Sequence, residues 1–394
     1  MEESHLAFFW TVQALAGLKK WKNTTIKYKL YKIFIIGVYF YNLFMLQLQL
    51  ITARTIEEIM ENLSFTTMYT VMTIGIYFLS KPKFTQLFQD IKDFEETLIK
   101  KQGIEKKVIE IADKYSNINN KTNRVIYFTT SIFCVFFIYD YSRLPLRPKN
   151  RIKFIFPEYY FFDEEKYYWF VFIDNCIFLV GCLLPLFVYM RFSSITLITY
   201  IIARIKMLQH FIRSVETYAK HLSRTQKQSL QEARYNILRS CLIQHIYIIE
   251  FVNTVKKYTN MFILMDSLAS SVQFGSIWLR LLIGFEEDDL FDRVMIGLHF
   301  IVIYTFMMVN YFYAQQIQNE SENIAVETYN LRWFDFDSRT KIMVSMMVMK
   351  ARVPLTLAIG PFSEMKLYSL VQVLKASFSY FVFMHTLYDL SLAQ

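Results

Sequence analysis

The sequence predicts an all-α integral membrane protein with seven spanning helices, the N-terminus inside and the C-terminus outside. Three observations carry this. The apolar residues fall in blocks of about 20, the length a helix needs to cross roughly 30 Å of hydrocarbon. The chain of 394 residues is 54% hydrophobic and 18% aromatic. It holds only 9 Gly and 7 Pro, with none of the Gly-, Pro- and Ser-rich linkers that divide a soluble chain of this size into domains. In lipid every backbone polar group must be satisfied within its own segment, so the blocks are read as helices.

The first span, 31–53, follows Lys19, Lys20, Lys22 and Lys27. The second, 59–79, leads into a connection carrying Lys81, Lys83, Lys92, Lys100, Lys101, Lys106 and Lys107. The third, 125–143, ends in IYDYSR. The fourth, 167–191, is followed by Arg204, Lys206, Arg213, Lys220, Arg224 and Lys227. The fifth, 258–283, runs into the acidic stretch GFEEDDLFDR, and the sixth and seventh cover 294–315 and 367–390. An odd number of spans puts the termini on opposite sides. Basic connections stay in the cytoplasm, and three long ones outweigh the single dissenting external loop, with Arg143, Arg147, Lys149, Arg151 and Lys153. This orientation, and a last span without Asn-Pro-x-x-Tyr, disfavours a G-protein-coupled receptor, whose N-terminus lies outside.

Other functions are excluded by what the chain lacks. The opening MEESHLAFFW has no basic stretch ahead of an apolar core, so no cleavable signal peptide is expected. Cys134, Cys176, Cys182 and Cys241 lie in or beside the spans without a CxxC pattern, which points to neither metal nor disulfide framework. There is no nucleophile–base–orienter set and no phosphate-binding glycine loop, so neither an enzyme nor a cofactor is expected. The net charge of +9 sits in the cytoplasmic connections, where it suits anionic membrane lipid rather than nucleic acid. Asn62-Leu63-Ser64 has the pattern of an external glycosylation acceptor but lies too close to a span to be modified.

Two connections read as helices. The stretch 194–222 repeats apolar residues at helical spacing. From 231 to 283 there is no Pro, which predicts a helix of about 75 Å. Only about half of that fits a bilayer. Lys256 and Lys257 mark the interface, and the remainder projects into the cytoplasm with one apolar face. That face needs a partner: the 195–222 helix, a second subunit, or both. His245 and Glu250 are expected on the surface of this helix.

The last span, SLVQVLKASFSYFVFMHTLYDL, carries Ser369, Gln372, Ala376, Ser379, Phe383 and Thr386 on one helical stripe. Such a stripe faces either another helix or water. One helix cannot enclose a channel, but a ring of four can. Phe383 and Leu387, one turn apart near the outer end, would then close it by dewetting. Spacing alone favours helix packing.

The segment before it changes the balance. A cytoplasmic run with Trp333 leads into a Met-rich amphipathic helix at 338–349. Pro354, Gly360 and Pro361 then break the chain before the last span. Together with Glu320-Ser321, Tyr329 and the run Ser377-Phe378-Ser379-Tyr380-Phe381, this order resembles the C-terminal signature of the insect odorant receptors, which typically carry an SYSYF-like run. The related gustatory receptors end in a Thr-Tyr-x5-Gln-Phe pattern, and here no Gln-Phe follows Ser379-Tyr380. Span number, inverted topology, length and the acidic external loop extend the resemblance over the whole chain.

The resemblance implies an odour-gated, non-selective cation channel in the plasma membrane of sensory dendrites. It implies a tetramer, with this chain as an odour-tuned subunit beside the odorant receptor co-receptor. By the same resemblance, 1–30 is a cytoplasmic segment, 31–315 the bundle with its cytoplasmic extensions, 316–361 the anchor that joins subunits, and 362–394 the pore helix with an external C-terminus. Ser369, Gln372, Ala376, Ser379 and Thr386 would line the pore, with the gate at Phe383 and Leu387. Many relatives have an aliphatic residue where Phe383 stands. A small volatile odorant would bind in the outer half, among spans two, three, four and six. Span two offers Thr66, Tyr69, Thr70 and Thr73. Span three offers Phe133, Phe136 and Phe137, with Asp140 nearer the interface. Span four offers Phe170, Asp174 and Phe178, and span six Phe300, Tyr304 and Met307. Core packing is the competing role for each, and Asp174 lies about two turns from the outer end, within reach of water. The alternatives are a gustatory-type ligand-gated channel and a metabotropic seven-span receptor. A transporter predicts paired broken helices, and the single break at 354–361 disfavours it.

Overall fold

The computed structural model describes residues 6–18, 25–53, 56–79, 81–100, 105–143, 158–162, 166–283 and 290–392. Among them are α1 (Ala7–Leu15), α2 (Ile26–Thr52), α3 (Ile56–Leu79), α4 (Pro82–Lys100), α5 (Lys106–Arg143) and α6 (Tyr168–Phe178). These are followed by α7 (Leu184–Arg213), α8 (Val215–Gln226), α9 (Leu230–Ile283), α10 (Leu290–Tyr329), α11 (Ser338–Ala351) and α12 (Leu367–Leu392). A small hairpin, β1 (Ala358–Ile359) with β2 (Ser363–Glu364), precedes the last helix.

All seven expected spans are helical. Five helical stretches among the described residues are long and apolar enough to cross a membrane: α2, most of α5, the α6–α7 rod, α9 and α10. Two spans carry a weaker signal. The apolar run of α3 is interrupted by Asn62, Ser64, Thr66, Thr67, Thr70 and Thr73 and passes only together with α4 across a bend. In α12 the described apolar stretch is the shorter Leu367–Phe383, which carries Gln372, Lys375, Ser377 and Ser379. The basic stretches 19–22 and 144–157, the acidic stretch 284–289 and the side chains of Asp140 and Leu387 lie outside the described residues.

The connections between the expected spans are more helical than periodicity suggested. Span three is the end of a 38-residue helix beginning at Lys106, and the connection before it holds α4, whose first residue, Pro82, loses nothing by lacking an N–H there. The helix α1 was not anticipated at all. It is short, yet Phe9 and Val12 are buried and it packs against α5 and α7. The fourth span runs on to Arg213, turns at Ser214 and continues as α8. The helix α9 has 54 residues, about 80 Å of axis.

At the centre stands α7, buried nearly all round and packed on α5, α9 and α10, as expected of a helix apolar on every face. The protruding apolar face of α9 is covered by its own chain. Leu238, Cys241, His245, Ile248 and Val252 form a buried stripe at helical spacing, and α8, α7 and α11 pack on this helix. Each fully buried Leu, Ile or Val there contributes roughly 1.5–3 kcal/mol. His245 is 2% exposed, so the surface role expected for it does not hold; Glu250 remains exposed. Ions tie this region together: Lys206 pairs with Glu320 and Arg213 with Glu327. Hydrogen bonds from those lysine and arginine side chains hold both carboxyls below the usual range against the opposing effect of burial.

The helix α11 is capped by Asp337, which accepts from the Thr340 N–H at 3.3 Å. Beyond it the chain reverses in the hairpin. Gly360 takes φ +58°, donates its N–H to the Asn260 carbonyl at 2.9 Å and abuts Leu264, so the turn is seated against α9. From that seat α12 starts and packs mainly along α9, with less contact to α10.

Candidate ligand site and pore-facing helix

The residues expected to bind a ligand divide into three groups. The first surrounds Tyr69 of α3, which is fully buried. Its ring stacks on Tyr39 of α2 at 5.8 Å and on Phe178 of α6 at 5.7 Å. The Tyr39 hydroxyl donates to the Tyr69 carbonyl at 2.7 Å and lies 3.2 Å from Thr73 Oγ1. Thr66 belongs to the same helix but donates to Asn62 Oδ1 at 2.8 Å, within its own turn. Asn62 itself is wholly buried.

The second group joins α5 to α10. Phe133 stacks on Phe137 at 5.5 Å and on His299 at 5.3 Å, and Phe137 meets the edge of Tyr141 at 4.9 Å. The third joins α10 to α9. Phe300 stacks on Tyr304 at 6.1 Å and meets Phe274 and Trp278 at 5.1 and 5.6 Å. Met307, one turn deeper, is buried. Thr70, Phe136 and Phe170 turn outward, and Asp174 is half-buried. Helix rotation separates these side chains from interior ones of the same type, and a count of aromatics carries no information about rotation.

Sequence reasoning missed the polar part of the outer bundle. The segment 158–162 folds inward, its Tyr159 N–H donating to the Met45 carbonyl of α2 at 3.3 Å. Glu158 is thereby 3% exposed. The Tyr160 hydroxyl donates to Glu158 Oε2 at 3.2 Å and receives Asn175 Nδ2 at 3.4 Å. Burial pushes the Glu158 carboxyl up to about 8, only partly offset by the Tyr160 hydrogen bond. Immediately after Phe178, residues Leu179–Leu183 form a π-helical turn between α6 and α7, a feature common at functional sites. The available signal was the polar pair Asp174-Asn175 inside an apolar span.

Deeper in the bundle, Met307 and Asn310 of α10 line a cavity of about 30 Å³ with Arg191, Asp266, Ser267, Tyr311, Leu357 and Met365. Arg191 pairs with Asp266 across α7 and α9 and lies over the rings of Phe187 and Phe306 at 5.2 and 5.6 Å. Ser267 Oγ and Tyr311 Oη are 2.9 Å apart. The volume suits one or two water molecules and excludes an organic ligand.

The helix α12 has three faces. Leu370 and Ser377 are buried, and Tyr380 lays its ring directly on Gly275 of α9. Val371, Phe378 and Val382 are exposed and apolar. Between them, Gln372, Ala376, Ser379, Phe383 and Thr386 are exposed along one line. Ser369, at the inner end of that line, is 5% exposed and donates to the Glu364 carbonyl at 2.6 Å, so it belongs to the hairpin. The described side chains of α12 end before Leu387.

Residues 55–378 match the family model described as the 7tm odorant receptor. Odorant receptor Or2 of Anopheles gambiae is 24% identical over 39% of this chain and 39% of its own length. Odorant receptor 30a of Drosophila melanogaster is 23% identical over 57% of each. The matched segments thus span about two fifths to three fifths of those relatives. Among solved structures, the insect olfactory receptor OR5 of Machilis hrabei in complex with eugenol superposes with a TM-score of 0.76 at 13% identity, covering 96% of this chain and 98% of that one. At that identity the likeness is one of fold.

Proposed function

Since the chain belongs to the 7tm odorant receptor family, we propose that it is the odour-tuned subunit of a ligand-gated, non-selective cation channel in the plasma membrane. A small volatile molecule binding in the outer half of the bundle opens a central pore lined by α12, in a tetramer shared with the co-receptor, with N-termini inside and C-termini outside. One observation carries this reading: Gln372, Ala376, Ser379, Phe383 and Thr386 form an exposed line on α12 that none of the described residues covers. A polar line left to lipid is unfavourable, and a ring of subunits turns it toward water. Phe383, 59% exposed near the outer end, supplies the apolar constriction.

Voltage-clamp recording tests this in cells given the chain with and without the co-receptor, across an odorant panel. Odour-evoked cation current is expected. Phe383→Ala should raise the resting leak, and Gln372→Leu should change relative ion permeability. Unchanged permeability and leak in both variants, with odour responses intact, would remove α12 from the pore. Accessibility tags on the two termini in intact cells separate this topology from that of a G-protein-coupled receptor.

A further inference from the structure

Three buried oxygen atoms accept no hydrogen bond from the described residues: Glu158 Oε1, Asn175 Oδ1 on α6 and Asn42 Oδ1 on α2. Their side chains are 3%, 1% and 2% exposed. Buried polar atoms are almost always paired, and a carboxyl placed for structure alone finds an N–H or a cation. No donor of the described residues reaches any of the three, and they occupy one neighbourhood. Tyr160 bridges Glu158 to Asn175. The Tyr159 N–H is bound to the carbonyl of Met45, one turn along α2 from Asn42. Asp174 places a second carboxyl within electrostatic range of Glu158. Tyr41 of α2, half-exposed at the rim, lies in range of both carboxyls, and Tyr69 in range of Glu158. The Tyr160 ring continues into Phe162, 5.5 Å away.

The complement of this neighbourhood is a compact group with several N–H donors, a positive charge and tolerance of aromatic faces. An ammonium has three donors and no acceptor, and aromatic rings attract it. A neutral carbonyl or ether odorant brings no donor: it can accept the Glu158 proton but leaves the two amide oxygens as they are.

We propose that Glu158, Asn175 and Asn42, rimmed by Tyr41 and Tyr160, bind the ammonium group of a small primary amine between α2 and α6. The site is separate from the aromatic groups that join α5, α10 and α9, and it rests on reading the bundle as a ligand receptor. Burial keeps the Glu158 carboxyl largely protonated at neutral pH in the free receptor, so the ammonium displaces that proton as it binds.

The test is direct binding to the full chain in lipid nanodiscs, with 2-phenylethylamine, 2-phenylethanol and ethylbenzene as matched probes. The amine should bind saturably and about tenfold or more tighter than either neutral probe, the range of one charge-assisted hydrogen bond. Glu158→Gln should remove that advantage and leave the neutral probes within about twofold. Should the variant fail to fold, the unaltered chain still decides. Its affinity for the amine, which stays charged throughout, should fall as pH drops from about 8 to about 6 and the carboxyl regains its proton. Asp174, Tyr41, Tyr69 and Tyr160 are the other titratable groups that face Glu158. Equal affinity for amine and alcohol, no effect of Glu158→Gln, or a flat pH profile in the unaltered chain would overturn the site. Binding is read without current, so a failure of the channel reading leaves this result interpretable.

Discussion

A single carboxyl shows how much of a membrane protein's chemistry escapes a linear reading. Glu158 sits in a loop between spans, where an acidic residue is ordinarily solvated and unremarked. Only the inward fold of 158–162, pinned by the Tyr159–Met45 hydrogen bond, buries it. The consequence is measurable. A carboxyl titrating near 4.5 when free and near 8 when folded makes the folded state bind an extra proton between those values. The contribution of Glu158 to stability therefore falls as pH rises from about 4.5 to about 8, and levels off above. Glu158→Gln removes the titration, so its melting temperature should match that of the parent near pH 5 and exceed it increasingly toward pH 8. Thermal melts of both proteins in detergent across this range check it, and a pH-independent gap would mean that the carboxyl is not held protonated. The same local fold explains why Tyr69 and Phe178 could be read as neighbours while Tyr39 and Asn42 could not. Span one was set aside, and no sequence pattern states which face of it the Tyr69 ring meets.

At the scale of the helix, what was legible depended on period. The 3-4 spacing in α12 grouped Gln372, Ala376, Ser379, Phe383 and Thr386 on one stripe without saying what it faces, whereas the buried end at Ser369 depends on the hairpin, which spacing does not describe. Likewise α9 was visible end to end because a Pro-free stretch of that length has few alternatives, while α1 and α4 were invisible, being short or polar. The contact of α12 with α9 turns on one position. A methyl group on Gly275 would collide with the Tyr380 ring, so the glycine sets how closely the two helices approach. Gly275→Ala should therefore destabilise the protein by about 1–3 kcal/mol, the usual range for overpacking. In a Tyr380→Ala background the same change should cost less than about 0.5 kcal/mol, since the colliding ring is gone. A double-mutant cycle on melting or on current amplitude decides this. Additive effects would show that the two positions do not communicate, and that α12 is held elsewhere along its length.

For the whole molecule, the question is what the protomer leaves uncovered. On α11, Met343, Val344, Met347 and Ala351 are buried against the chain's own helices, yet Ile342, Met346 and Met349 face outward at helical spacing. On α9 and α10, which α11 packs against, Ile243, Ile246, Val326 and Tyr329 are also exposed. In the proposed topology this surface lies outside the bilayer, where exposed apolar area marks an interaction face. The α12 line is the converse, a polar edge on a helix that belongs in lipid. The proposed tetramer satisfies both, with subunits in a closed ring joined head to tail through α9, α10 and α11 and the α12 lines turned to the axis. Charging the outward face should then separate assembly from folding. In Ile342→Asp/Met346→Asp the altered side chains are 56% and 51% exposed, so protomer stability should change far less than at a buried position, by about 1 kcal/mol at most. Assembly should fail, seen as a shift from tetramer to monomer by subunit counting or native mass spectrometry. Met347→Asp is the control, because Met347 is fully buried. An uncompensated charge there should unfold the protomer itself. Intact tetramers in the Ile342→Asp/Met346→Asp protein would mean that the ring closes through other surfaces, and that the exposed stripe on α11 serves a different partner.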